Sequence, residues 1–441
     1  MAFFPTGTPA LAGPVTPDDI THGTSPGVIC KARPMEIDVR TIIDEEVAAW
    51  CAGLYTGFLN PVGDVDAEAH RPDLFLDRTW GGFDGDKVVA TLRSFRSQMT
   101  VPGGGALEAS AVTAVTTTST HRRRGLASRL MAAELAASLE RGEQVSILIA
   151  AEWGIYGRFG YGASTEHQTW TVDALAARLR HRPQGKVEYV DRDTARALAP
   201  EVYEHHRSQR PGEISRSQRR WDLTFGLLRL PGCPEPEPAF YVIARNPAGS
   251  TTGVARYEYQ EKWELRRPRG QVTVQLFVTS DPAAESLLWQ HLLNLDMTAT
   301  VRVADRPVDE LLPLLLTDAR HAQPSARADF LWIRPLDVAA MLSARSYLVS
   351  GQLVVEVVDA AGLAGGRFAL DGGPDGASCV RTTATADLTL NTAALGSAYL
   401  GGYGVRALAA AGLIEEHSTS AVARADAMFR SPVTPWCSTW F

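Results

Sequence analysis

The chain has 441 residues, 45% of them apolar and 21% charged, with a formal net charge of −7. That length predicts two or three domains, the composition is that of a soluble globular chain with ample core material, and the acidic balance argues against a nucleic-acid partner, whose phosphates call for a basic excess. Five cysteines, at 30, 51, 233, 379 and 437, show no metal-ligand spacing, and no apolar run approaches a membrane span, so reduced thiols, a cytoplasmic setting, no metal and no membrane partner are expected.

Residues 1–33 are rich in Pro, Gly and Thr, show no secretory leader and read as a flexible extension. From 34 to 184 the signals alternate. Asp44–Phe58 reads as a helix, Lys87–Phe95 and Ala109–Thr118 as strands, Arg123–Glu140 as a Leu/Ala/Glu helix ended by Gly142, and Gln144–Ala150 as a short apolar strand. Residues 185–330 repeat the order with helix Thr194–Arg207, the strand pair Phe240–Ala244 and Gly253–Tyr259, the β-branched strand Gln271–Thr279 and helix Pro282–Leu293. This reads as an internal duplication, in which the second strand-to-helix turn, Ser280–Glu285, has lost the arginines and the glycine of the first and should not hold a diphosphate. Residues 331–441 change pattern. Strands at Gln352–Val358, Gly366–Leu370, Ala377–Thr382 and Ala386–Leu390 precede helices at Thr392–Leu400, Val405–Ala411 and Thr419–Phe429, an α+β order. The last segment, Ser431–Phe441, carries Pro432 and Pro435 and should be extended.

Arg122-Arg123-Arg124-Gly125-Leu126-Ala127 stands between a strand and a helix and fits the pattern Arg/Gln-x-x-Gly-x-Gly/Ala. A helix N-terminus offers free N–H groups and a positive dipole end. A glycine there lets the backbone close on a diphosphate, and arginines add charge-assisted bonds to its oxygens. Coenzyme A carries such a diphosphate, and its pantetheine arm would run beside Val115 to Thr117. The same arginines also suit a solvated helix cap; the strand before and the helix after favour the anion site. Tyr156, within Ile155-Tyr156-Gly157-Arg158-Phe159-Gly160-Tyr161-Gly162, is either a core aromatic on a tight turn or a phenol able to protonate a departing thiolate. Trp436, Trp440 and Phe441 form an aromatic terminus that is either a packing anchor or a support for a terminal carboxylate acting as base.

These segments, with Glu152-x-Gly154, Leu315-Leu316-Thr317-Asp318-Ala319-Arg320, Leu395-Gly396-Ser397-x-Tyr399-Leu400-Gly401-Gly402 and the terminal Phe, resemble the Eis (enhanced intracellular survival) acetyltransferases of the GNAT superfamily over essentially everything after residue 34. The resemblance implies an α/β plus α+β chain: a catalytic GNAT domain, a degenerate second GNAT domain and a sterol-carrier-protein-like domain whose tail reaches the active site. It implies an amine N-acetyltransferase using acetyl-CoA, with Tyr156 as general acid and the Phe441 carboxylate as base. Cosubstrate contacts are implied at Val115, Thr117, Arg122, Arg123, Gly125 and Leu126, beside Arg124 and Ala127 of the loop, and the assembly implied is a homo-hexamer. Two departures stand out. Family members that acetylate aminoglycosides carry an acidic residue before the terminal Phe and an Asp in the first helix; here those positions hold Trp440 and Gly57. Asp64, Asp66 and Glu68 are the acidic residues nearby, and a less cationic, more hydrophobic amine is expected. An apolar-ligand-binding protein with a vestigial site and a protein-lysine acetyltransferase are the competing expectations. The intact arginine loop and Tyr156 argue against the first, the terminal aromatics against the second.

Overall fold

Seven strands in the order Asp38–Thr41, Thr79–Asp84, Lys87–Thr100, Ala106–Thr117, Val145–Ile149, Leu331–Pro335 and Gly162–Ala163 form the first sheet of the computed structural model, which describes residues 37–61, 66–230, 235 and 237–441. The expected extension at 1–33 and Asp64 lie outside the described residues. Helix Leu126–Glu140 buries Leu126, Leu130, Met131 and Leu135 on Leu92, Val112 and Leu148 of this sheet. Its one buried carboxylate, Glu134, receives Trp80 Nε1 at 2.7 Å, Ser110 Oγ at 2.8 Å and Arg141 Nη2 at 2.6 Å, so a charge inside the core is fully bonded. Helix Val47–Gly57 packs along the long strand Lys87–Thr100, close enough that a Cβ on Gly53 would come within 2.6 Å of the Val88 carbonyl oxygen.

A second seven-stranded sheet runs Lys186–Val190, Phe240–Arg245, Thr251–Gln260, Gly270–Thr279, Thr298–Arg306, Glu166–Asp173 and Ala322–Asp329. Taken from this end it repeats the pairing of the first strand for strand. Every neighbouring pair is antiparallel except the fourth with the fifth, which in each sheet are parallel and joined by a helix, Leu126–Glu140 or Pro282–Leu293. The duplication is therefore structural, and its halves are interlocked. The sixth position of each sheet is filled from the other half: Leu331–Pro335 pairs with Val145–Ile149 in the first, and Glu166–Asp173 pairs with Thr298–Arg306 in the second. Sheet membership thus runs across the expected breaks at 184/185 and 330/331. The exchange is favourable because Leu331 and Ile333 are fully buried in their new slot.

The third unit is a five-stranded sheet ordered Gly376–Arg381, Gly366–Gly373, Gly351–Val358, Leu388–Asn391 and Ile414–Glu416, covered by helices Val338–Ala344, Thr392–Tyr399, Val405–Ala410 and Ala421–Phe429. Between sheet and helices, Leu353, Leu390, Leu395, Ile414 and Phe429 leave a cavity of only about 20 Å³, room for about one water and none for an acyl chain.

Candidate active site

The central strands of the first sheet part. Ala106–Thr117 and Val145–Ile149 pair only through Ala109↔Val145, Ser110↔Ser146 and Ala111↔Ile147. Beyond that rung the former continues from Val112 to Thr117 with no strand pairing on that side among the described residues, leaving main-chain donors and acceptors facing an opening. A bulge deepens it. Thr91 opposes Thr116 and Arg93 opposes Thr113, and the extra residue is accommodated with Ala114 at φ 56°, its carbonyl bonded by Thr91 Oγ1 at 2.8 Å. Val115 and Thr117 are half-buried at this opening.

Just past it stands the arginine loop. The helix begins at Leu126 rather than at Arg123, because Arg123 (φ 64°) and Gly125 (φ 74°) both take left-handed backbone, which a helix cannot. No side chain caps this N-terminus, and Arg122, Arg123, Arg124 and Gly125 are exposed beside its free N–H groups, with Leu126 buried and Ala127 half-buried. The His121 ring, 3.0 Å from Asp84 and 2.8 Å from Thr120 Oγ1, braces the loop from behind. The matching turn in the second sheet is closed. Asp281 accepts from Ala284 N at 2.8 Å and Pro282 follows it, so a carboxylate caps this helix start where the first helix has none.

Tyr156 ends the short helix Trp153–Tyr156 and lies buried in the cluster that contains Leu126, Leu130 and Leu148. Burial, reinforced by the charge of Glu152, pushes its phenol up to about 12, so it is a proton donor at neutral pH. Tyr161 is fully buried 6.1 Å away, ring centre to ring centre, with its hydroxyl committed to Ser146 Oγ at 2.6 Å. Of the two tyrosines, Tyr156 is the one whose hydroxyl makes no hydrogen bond among the described residues.

The tail crosses from the second sheet to the first. Trp436 donates Nε1 to Asp305 O at 3.0 Å and lies under the Arg306 guanidinium, 5.3 Å from its ring centre. Arg216 then holds the next turn of chain, giving Nε to Thr439 Oγ1 at 2.7 Å and Nη2 to Ser438 O and Oγ at 3.0 and 2.8 Å. The fully buried Glu213 accepts Ser438 N at 3.1 Å and Ser438 Oγ at 2.6 Å. Burial opposes its ionisation, but His206, Arg216 and Ser438 outweigh burial and hold the carboxyl down at about 2. The loop carrying both residues is itself laced to the end of the strand Lys87–Thr100 through Gly212 N–Thr100 O and Ser215 N–Gln98 O, each 2.9 Å. Trp440 meets Phe330 at 5.7 Å, and the Phe441 ring stands edge-on to Phe95 at 5.6 Å and 89°. Phe95 and Leu92 alternate on their strand, so Phe441 lies on the face of the sheet opposite the Tyr156 cluster. Phe95, Glu213 and Arg216 had no motif to announce them; their partners lie more than two hundred residues away in sequence for both tail clamps.

Of the acidic residues expected nearby, Asp66 and Glu68 are engaged locally. Asp66 caps Ala69 N at 3.2 Å and Glu68 pairs with Arg71 at 3.1 Å. Gly57 is a steric requirement, since a Cβ there would stand 1.7 Å from Thr116 Oγ1. Among the described residues no group of three or more His, Cys, Asp or Glu gathers to hold a metal, and no helix is long and apolar enough to cross a membrane.

Residues 38–164 and 212–335 each match a family described as an acetyltransferase (GNAT) domain, and 338–438 match the sterol carrier protein domain. The chain is 42% identical to an uncharacterised N-acetyltransferase of Streptomyces avermitilis over 418 residues, 93% of this chain and all of that one. It is 35% identical to the N-acetyltransferase Eis of Mycobacterium tuberculosis over 363 residues, 80% of this chain and 86% of that one. The crystal structure of Eis1 from Mycobacterium abscessus superposes with a TM-score of 0.80 at 30% identity, covering 92% of this chain and all of that one.

Proposed function

Since the chain belongs to the Eis-like N-acetyltransferases of the GNAT superfamily, we propose that it transfers the acetyl group of acetyl-CoA directly to a primary amine, at the opening between the two parted strands of the first sheet. The diphosphate binds the uncapped helix N-terminus with Arg122, Arg123 and Arg124, and the pantetheine arm bonds to the free edge from Val115 to Thr117. The neutral amine attacks the thioester carbonyl from the Phe441 side. Its surplus proton passes to the Phe441 carboxylate. The tetrahedral intermediate collapses as Tyr156 protonates the departing thiolate, which leaves as the free thiol of coenzyme A.

The observation that carries this reading is the pair of groups on opposite sides of one opening, a buried phenol kept protonated and a chain terminus clamped by Arg216 and Glu213. The second copy lacks the arginines and caps its own helix, which supports a single cosubstrate site. The apolar-ligand alternative would leave the exposed arginine loop and the buried Tyr156 phenol without a role. The homo-hexamer belongs to the same proposal, and light scattering of the purified chain tests it.

The test pairs Tyr156→Phe with a chain extended beyond Phe441. Both are expected to lose about 10²–10⁴ in turnover, measured as thiol release, with acetyl-CoA affinity and melting temperature unchanged. Turnover within a few-fold of the parent in either folded variant removes that residue's role.

A further inference from the structure

On the face of the sheet where Phe441 docks, four arginines converge and three are bound. Arg219 grips the Asp73 carboxylate through Nε at 2.7 Å and Nη2 at 3.0 Å. Arg93 donates to Asp73 O at 2.8 Å. Arg216 holds Ser438 and Thr439 of the tail. The fourth, Arg220, on the helix Gln218–Thr224, makes no side-chain hydrogen bond or ion pair among the described residues, the Phe441 carboxylate included. It is partly buried, and its backbone is fixed by Ser217 Oγ capping Arg220 N at 3.1 Å.

The surroundings locate this guanidinium. Arg93 shares its strand face with Phe95, the residue against which Phe441 packs. The Cys437 thiol of the tail feels the charges of Arg216 and Arg220 together. Burial, then the like charges of Arg216 and Arg93, pull Arg220 down to about 10, only partly relieved by Asp73. It therefore stays charged at neutral pH in a place where the protein supplies repulsion and no bonded counter-ion. Its partly exposed guanidinium is therefore open to a bonded partner from outside the chain.

We propose that Arg220 is a specificity determinant of the acceptor site, where its unpaired guanidinium binds an anionic group, such as a carboxylate, carried by the acceptor amine. The acceptor is then a zwitterionic amine rather than a polycation. The neutral amine end faces the Phe441 carboxylate, which takes its surplus proton after attack, while the anionic end is held by Arg220 with Arg93 behind it. This rests on the amine-acetyltransferase reading above.

Full-length protein loaded with acetyl-CoA is to be tested with three matched pairs differing only in charge: glycine and glycinamide, 4-aminobutyrate and 4-aminobutanamide, 4-(aminomethyl)benzoate and its amide. Binding is read by calorimetry with coenzyme A present, and transfer by thiol release. In at least one pair the acid is expected to be favoured over the amide by about 10- to 100-fold, as for a charge-assisted bond. Arg220→Gln is expected to bring that ratio to about one, and Arg220→Lys to restore part of it. Acetyl-CoA affinity and the melting curve of each variant report folding. Equal handling of acid and amide in all three pairs, or an acid preference that survives in Arg220→Gln, overturns the proposal. A variant that slows acid and amide alike, with the ratio unchanged, makes Arg220 a counter-charge for the Phe441 carboxylate and overturns it too. Acid-selective binding without any transfer, in contrast, upholds the anion site and removes the transferase reading.

Discussion

Arg216→Ala isolates what the tail clamp does. The substitution removes three charge-assisted bonds, to Thr439 Oγ1 and to Ser438 O and Oγ, and takes from the buried Glu213 one of the positive charges that keep it ionised. Arg216 is half-buried and acts on Glu213 through space, so the cost is that of its charge-assisted bonds to the tail, about 1.5–3 kcal/mol each. The loss falls on attachment of the last residues rather than on a core, because Trp436 keeps its own bond to Asp305 O at 3.0 Å. At about 3 kcal/mol the equilibrium between held and released terminus moves by about 150-fold, since each ~1.4 kcal/mol is tenfold. Turnover is expected to fall by about 10²-fold through loss of the base. Acetyl-CoA affinity should stay within about threefold, because Arg122 to Leu126 lie across the sheet from the clamp and make none of these contacts. The assay is thiol release at saturating acetyl-CoA beside calorimetric titration and a thermal melt. Arg216→Lys, which keeps the charge but not the fork, should fall between. A folded Arg216→Ala enzyme with parental turnover would refute the idea that clamping the terminus serves catalysis.

Glu213 should make stability depend on acid. Its carboxyl is depressed from 4.5 to about 2 in the folded chain, so its contribution is present above 4.5 and is lost as pH falls from 4.5 through 2. That displacement corresponds to about 3 kcal/mol, and Glu213→Gln should flatten the fall in melting temperature as pH drops from 4.5 to about 2; an unchanged slope contradicts the assignment. Gly57→Asp, which would seem to restore an acidic acceptor site, should instead destabilise by about 1–3 kcal/mol through overpacking on Thr116, and Thr116→Ala in the same chain should recover only part of it in urea unfolding, because the Cβ at 116 would still stand 2.6 Å from the new one. Calorimetry should give one acetyl-CoA per chain, with the double change Arg123→Ala and Arg124→Ala weakening it by about 10- to 100-fold; two equivalent sites would contradict the capping role of Asp281.

Features whose cause is local were legible in the chain. The strand–glycine–helix turn at Arg122–Ala127 follows from backbone angles and free N–H groups within a few residues, and only its first helical residue needed correction, because Arg123 as well as Gly125 is left-handed. The helix Pro282–Leu293 is bounded by its own Asp-Pro start, and the loss of the second diphosphate turn is written in Ser280–Glu285. Repetition of these local signals also sufficed to reveal the duplication.

Tertiary structure decided whatever depends on residues far apart meeting. Leu331–Pro335 and Glu166–Asp173 are short strands whose place is set by an empty slot in the other half's sheet, and pairing partners are invisible to periodicity. Gly57 reads as a missing carboxylate in the sequence and becomes a contact with Thr116 only once the first helix lies on the sheet. Glu213 and Arg216 read as ordinary charged loop residues until the tail, more than two hundred residues later, comes to rest on them. Arg220 is one basic residue beside two others, Arg216 and Arg219, in one short stretch. Which of the three is bound and which is left unpaired is fixed by the geometry of their neighbours, because a guanidinium satisfies its charge through directional contacts that no linear pattern encodes.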